Sequence, residues 1–211
     1  EPGLWGQIEE WLDGALAAKF EEGSEDAKQV ARMTDWGAVR DEIQTLKEKV
    51  GRDWPLGFCN NDLNAPNIMQ HVESGKVLLI DFEYGGTNYR AFDIANHLNE
   101  YAGGTEDGHP DYQLFPSQDH IRMWCGAYLS EYLGTSGGPG VTDGGGVVGA
   151  DEGDVDALVA QVGVFAAVDH WYWGLWAVCM ATIEGNEGGF YLNYGEARIR
   201  QYWNTKKAGG S

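Results

Sequence analysis

Residues 58–84 read FCNNDLNAPNIMQHVESGKVLLIDFEY, and the reading of the whole chain turns on them. A short loop crowded with Asn60, Asn61, Asp62, Asn64 and Asn67 precedes the apolar run Val77, Leu78, Leu79 and Ile80, which ends on Asp81. Ile68 and Met69, a turn at residues 73–75 and the run at 77–80 predict a β-hairpin that brings Asp81 back toward Asn67. Taken singly, each piece has an ordinary meaning: D-x-x-x-x-N is a polar turn, and an aspartate after four aliphatic residues is a strand end.

Taken jointly, the pieces are more specific. Asp62, Asn67 and Asp81 stand in the order and spacing of the catalytic loop and metal aspartate of kinases. There one Asp takes the hydroxyl proton while an Asn and a second Asp hold Mg²⁺ against nucleotide phosphates.

Outward from this stretch, 211 residues, 43% hydrophobic and 12% aromatic with nine Trp, suffice for one domain with a sizeable core. The formal charge of −19 argues against nucleic-acid or anionic-membrane partners, which require basic patches. A cationic small substrate suits it better, although the acidity also serves solubility. Cys59, Cys125 and Cys179 lack C-x-x-C spacing and read as reduced core residues. No signal-peptide pattern or membrane span is legible, so the expected location is cytoplasmic.

Along the chain, Leu4, Ile8, Trp11, Leu12, Ala15 and Leu16 predict an amphipathic helix over residues 4–20. After a polar break at 21–26 comes a further helical stretch. Asp35 is then expected to cap a helix carrying Val39, Ile43, Leu46 and Val50, which ends near Pro55 and leads to the polar loop. Gly85 and Gly86 allow a turn before a helix over residues 91–102, with Ile94, Leu98 and Tyr101 on one face and Asp93, Asn96 and Glu100 on another. Ser117 caps a helix to about Leu133, whose stripe of Ile121, Trp124, Cys125, Tyr128 and Leu129 reads as core. The glycine-rich residues 134–154 read as a flexible loop, and no G-K-[ST] follows to suggest phosphate binding. A long buried helix over 155–182 contains His170, Trp173 and Trp176. The two tryptophans suit a core or an aromatic wall for an ammonium group, and His170 reads as a core residue. The last helix covers 191–206, and residues 208–211 are expected to fray.

The stretches CNNDLNAPNIM, LLIDFEYGGTNYRAFDIANHLNEYAG, HWYWGLWAV and YGEARIRQYWNTK resemble the successive motifs of the choline/ethanolamine kinase family, in the family's order. The resemblance implies an α+β fold: a kinase-like large lobe, mostly α-helical, with a small β-hairpin at the catalytic site. It does not extend to the amino-terminal lobe of such a kinase, so residues 1–211 are expected to form a single carboxy-terminal lobe whose partner lobe is absent. The implied reaction is ATP- and Mg²⁺-dependent phosphorylation of the hydroxyl of ethanolamine or choline, the first step toward the matching phospholipid head group. A homodimer is left open.

By the same resemblance Asp62 is the general base, Asn64 lies near the transferred phosphoryl group, and Asn67 and Asp81 hold Mg²⁺ and nucleotide. Glu83, Tyr84, Glu100, Trp173 and Trp176 form the substrate cage, and Asp93 braces the loop. The N-D-L form at residues 61–63, N-E-Y-A-G at 99–103 and D-Y-Q-L-F-P at 111–116 lean toward ethanolamine. One departure is Asn60, which stands where the family has His. Two other readings stay open: a kinase-like binding or regulatory module with impaired catalysis, and a related phosphotransferase acting on another alcohol such as an aminoglycoside.

Overall fold

The computed structural model describes residues 2–135 and 150–209. Seven α-helices and four short strands follow in the order α1 (Leu4–Ala17), α2 (Glu25–Met33), α3 (Val39–Lys49), β1 (Leu56–Cys59), β2 (Ile68–Gln70), β3 (Val77–Leu79), β4 (Gly86–Tyr89), α4 (Arg90–Asn99), α5 (Gln118–Thr135), α6 (Glu152–Ile183) and α7 (Phe190–Gly209) among the described residues. The class is α+β, mostly helical, as the sequence implies. The strands form two antiparallel pairs, β1 with β4 and β2 with β3. In the second pair Ile68 faces Leu79, and the Ile80 N–H donates to the Asn67 carbonyl at 3.0 Å. The expected hairpin is therefore present, and it does return the chain to Asn67.

Helix α6 is the axis of the lobe, and its sequence explains why. From Val168 to Cys179 nearly every residue is buried, Trp171, Leu175 and Val178 among them, so neighbouring helices cover this stretch all round, while the first turns keep an exposed side at Asp156, Ala157 and Ala160. Helices α1, α4, α5 and α7 pack against it. The approach of α7 is close because Gly174 and Gly195 meet at the crossing: a Cβ on Gly174 would lie 2.8 Å from Ile199 Cγ1, and one on Gly195 3.1 Å from the Gly174 carbonyl oxygen. The three cysteines are free and buried, and burial pushes their thiols above the ordinary range. His170 is buried, with its pKa well below the usual value, chiefly from burial and then from the Arg198 charge.

Several local expectations are corrected. Asp35 does not cap α3; its Oδ1 accepts from the Gly37 N–H at 3.1 Å in a local turn, and the helix starts after Ala38. The β1–β4 pair is absent from the sequence reading, since LGFC and GTNY are four residues long and lack alternating polarity. Accordingly the turn closes through the Gly85 N–H on the Phe82 carbonyl, 2.8 Å, and Gly86 is already strand. Tyr101 is exposed, because the chain tightens into a 3-10 turn at Glu100–Ala102 and rotates it off the Ile94 and Leu98 face. On α5 only Ile121 and Cys125 of the expected stripe are fully buried; Trp124 and Tyr128 stack at 5.9 Å and are half-buried. Of residues 208–211, expected to fray, the first two are the end of α7 and residues 210–211 lie outside the described residues. The expected glycine-rich loop lies mostly outside the described residues, with α5 reaching Thr135 and α6 starting at Glu152. Among the described residues no helix is long and apolar enough to cross a membrane.

Candidate active site

The polar loop after β1 is held by side chains rather than by sheet. Both oxygens of Asp93, on the first turn of α4, accept backbone N–H groups, from Asn60 at 2.9 Å and from Asn61 at 2.6 Å. One turn further along the same face, Asn96 Oδ1 accepts the Leu63 N–H at 2.6 Å. The polar face of α4 is thus the template for the loop, since helical spacing places Asp93 and Asn96 side by side. Asn61 takes a left-handed conformation, φ 66°, tolerated by asparagine, and spans outward through Nδ2 to the Tyr84 carbonyl at 2.8 Å.

Asn60, the residue that departs from the family pattern, is buried and fully used. Its Oδ1 accepts the Asp62 N–H at 3.0 Å, while Nδ2 donates to the carbonyls of Ile80 at 3.2 Å and Asp81 at 2.9 Å. An amide supplies an acceptor and a two-pronged donor together, which a neutral imidazole cannot do. The loop and the end of the hairpin are therefore joined by this one side chain.

Asp62 stands at the centre of the loop. Oδ1 accepts from Asn64 Nδ2 and Oδ2 from Asn67 Nδ2, each at 2.9 Å. Burial raises its pKa to about 6; the two amide bonds lower it, and the charges of Asp81 and Asp169 raise it further. Asn67 is buried, and its Nδ2 also donates to the Asp62 carbonyl, which turns Oδ1 away from the carboxylate. Asp81, at φ 55°, is exposed. Among the described residues no cluster of three or more His, Cys, Asp or Glu could hold a metal. The Asn67 oxygen and the Asp81 carboxylate are, however, hard oxygen donors of the kind that suit Mg²⁺, which uses one or two protein ligands and takes the rest from water and phosphate.

On the other side of Asp62 lies a cavity of about 240 Å³ lined by Asp62, Asn64, Glu83, Tyr84, Glu100, Thr105, Trp173, Trp176, Phe190, Tyr191 and Tyr194. Every residue assigned from sequence to catalysis or substrate lines it, whereas Asn67 and Asp81 do not. Trp176 Nε1 donates to the Tyr84 hydroxyl at 3.0 Å, and Trp173 meets both rings edge-on, at 5.3 Å from Tyr84 and 5.2 Å from Trp176. Burial raises the Tyr84 pKa, so its hydroxyl stays neutral. Glu100 sits beside the buried Arg198, with Nη1 3.5 Å from Oε1.

Sequence reasoning missed the contribution of α7 and of Thr105. Tyr191, Tyr194 and Arg198 are three and four residues apart, hence on one helical face, and that spacing was the available signal. Thr105 had none.

Loop, hairpin and helical lobe together define a class: a kinase-like lobe whose aspartate loop faces an aromatic, acidic pocket. The family follows from comparison. Residues 1–203 match the choline/ethanolamine kinase family, and the chain belongs to it. Ethanolamine kinase 2 of Mus musculus is 36% identical over 172 residues, covering 80% of this chain and 40% of that protein. Probable choline kinase 3 of Arabidopsis thaliana is 30% identical over 208 residues, covering 96% of this chain and 53% of that protein. Among solved structures, an ethanolamine kinase of Plasmodium vivax superposes with a TM-score of 0.73 at 27% identity, over 96% of this chain and 49% of that one. The chain thus spans about half or less of the length of these relatives.

Proposed function

We propose that this lobe binds a small alcohol bearing an ammonium group and contributes to ATP-dependent phosphorylation of its hydroxyl, with ethanolamine preferred over choline. The observation that carries this reading is the single pocket that joins Asp62 to an aromatic wall and the Glu100 carboxylate. Tyr84, Trp173 and Trp176 offer ring faces to a cation, worth about 0.5–2 kcal/mol per contact. Glu100 adds an acceptor for the N–H groups that a primary ammonium has and a quaternary one lacks.

In the reaction the substrate hydroxyl oxygen attacks the γ-phosphorus of ATP. An O–P bond forms, the bond to the β-phosphate oxygen breaks, and ADP leaves with the electron pair. Asp62 receives the hydroxyl proton or orients the hydroxyl for in-line attack, held in place by Asn64 and Asn67. Mg²⁺ bound by Asn67 and Asp81 would neutralise phosphate charge. The residues themselves position and orient, which is what a loose transition state requires. Three free, buried cysteines support a reducing, cytoplasmic setting.

The test has two parts. Titration of ethanolamine and choline followed by tryptophan fluorescence is expected to show saturable binding that Trp173→Ala weakens. Formation of phosphoethanolamine with ATP and Mg²⁺ is expected to fall about a thousandfold or more in Asp62→Asn while binding persists. Absence of binding of either alcohol would overturn the reading. The alternative of a binding module without catalysis would be favoured by saturable binding with no turnover.

A further inference from the structure

Behind the substrate pocket two carboxylates share one cation. The side chains of Arg198 and Asp169 are fully buried, and that of Glu100 is nearly so. They are not equal partners. Arg198 Nη2 donates to Asp169 Oδ2 in a short contact and reaches the Asp169 carbonyl at 3.4 Å. Its Nη1 and Nε make no hydrogen bond, and Nη1 meets Glu100 only as a charge contact at 3.5 Å. Asp169 is itself fixed by amides on α4: Asn96 Nδ2 donates to Oδ1 at 3.1 Å and Asn99 Nδ2 to Oδ2 at 2.7 Å. Since Asn96 also holds the Leu63 N–H, Asp169 is tied to the loop that carries Asp62.

We propose that Asp169 is a positioning residue that sets substrate preference: by taking the hydrogen bond of the Arg198 guanidinium it leaves the Glu100 carboxylate at the pocket wall with only a charge contact and its acceptor oxygens free of that guanidinium, which favours an alcohol with a primary ammonium over one with a quaternary ammonium. The inference rests on the ammonium-alcohol reading given above and adds to it the residue behind the pocket that selects the class of amine. The charge count supplies the reason. With Asp169 and Glu100 both ionised, one guanidinium against two carboxylates leaves one negative charge in a poorly solvated wall, where an incoming cation is worth more than in water. A primary ammonium both balances that charge and donates N–H bonds to Glu100. A quaternary ammonium can only balance it, and depends on the rings instead.

The groups facing Glu100 are Arg198 and Tyr194 from α7, Asp169 from α6, Asp62 from the loop and Tyr112 from the turn at Tyr112–Leu114. Burial is the largest cause of the rise of the Glu100 carboxyl to about 7, which Arg198 and the Tyr194 hydroxyl lower and Asp169 and Asp62 increase. A carboxyl so raised is protonated as pH falls through 7, and ammonium binding weakens with it. Removing the Asp169 charge takes away one of the raising neighbours and lets Arg198 turn to Glu100. Both changes move the Glu100 midpoint to lower pH.

The experiment compares the unaltered chain with Asp169→Asn, Glu100→Gln and the double variant. It measures the Kd of ethanolamine and of choline, and follows the Glu100 carboxyl by ¹³C NMR without ligand. Expected for Asp169→Asn are an ethanolamine affinity lower by about tenfold, a choline affinity changed less than about threefold, and a Glu100 midpoint lower by about one pH unit. In the Glu100→Gln background Asp169→Asn should change ethanolamine affinity less than about twofold, because the two act through one pathway. Equal losses for both alcohols, or an unmoved Glu100 midpoint, would overturn the proposal. Asp169→Ser, which removes the same charge with less bulk, repeats the test if the Asn variant does not fold. If the unaltered chain binds neither alcohol, the ammonium-alcohol reading fails and the preference falls with it, a result distinct from binding without selectivity.

Discussion

The hairpin β2–β3 and the α6–α7 wall both border the loop that carries Asp62, yet they are built on opposite terms. In the hairpin Met69, Val77, Leu78 and Ile80 are exposed, as is Phe82 just beyond it, and the pair is anchored chiefly by backbone bonds and by Asn60. In the wall Trp171, Trp173, Leu175 and Ile199 are buried, and the Arg198 guanidinium meets the Asp169 carboxylate at depth. On the proposed function, the segment that would face a metal offers carboxylate and amide oxygens to solvent and phosphate, whereas the pocket that would take an ammonium excludes water. The comparison teaches that burial is concentrated in the wall behind the pocket, and that the hairpin holds its place with little of it.

The sharpest way to break this contrast is at the brace common to both regions. Asp93→Ala orphans the buried N–H groups of Asn60 and Asn61 and should cost about 3 kcal/mol in stability by urea denaturation, with loss of phosphoryl transfer. A cost below about 1 kcal/mol would mean that the loop is held by something else. A smaller effect should distinguish the wall by pH. His170 is buried neutral with a lowered pKa, so the unfolded chain binds the proton that the folded chain refuses. The His170 contribution should therefore be full above about pH 6.5 and fall by up to about 1.4 kcal/mol per unit below it, opposed in the same window by Glu100 and Asp62, whose raised carboxyls take up protons on folding. Urea midpoints at pH 7.5 and 5.5 test this: in His170→Gln the stability at pH 5.5 relative to pH 7.5 should be higher than in the unaltered chain, and an unchanged difference would remove His170 from the account.

Smaller still is the effect expected for Trp176→Phe, which keeps a ring but deletes the 3.0 Å bond to the Tyr84 hydroxyl. About 1 kcal/mol of choline affinity should be lost, read by calorimetry. The least effect should come from the hairpin surface, where Leu78→Ser, at an exposed site, should move stability by less than about 0.5 kcal/mol in thermal unfolding. A large loss there would show that the hairpin face is buried in the working protein, and would erase the contrast.

The sequence by itself determined the elements whose signal is local. Asp62, Asn67 and Asp81 stand at fixed offsets around a hairpin that a short apolar run announces, and Asp93 and Asn96 share a face by helical geometry alone. The long helix α6 declared itself by the aromatic residues on all its sides around His170–Trp176. What only the tertiary structure decided depends on groups far apart in the chain. Leu56–Cys59 and Gly86–Tyr89 became strands because they found each other, not because four residues such as GTNY prefer extension. Asn60 acquired its part only when Asp81 came within reach of its amide. Arg198 and Asp169, 29 residues apart, read as ordinary helix residues until the α6–α7 crossing at Gly174 and Gly195 pressed them together. Buried charge is settled by partners, and partners are chosen by packing, which no window of sequence contains.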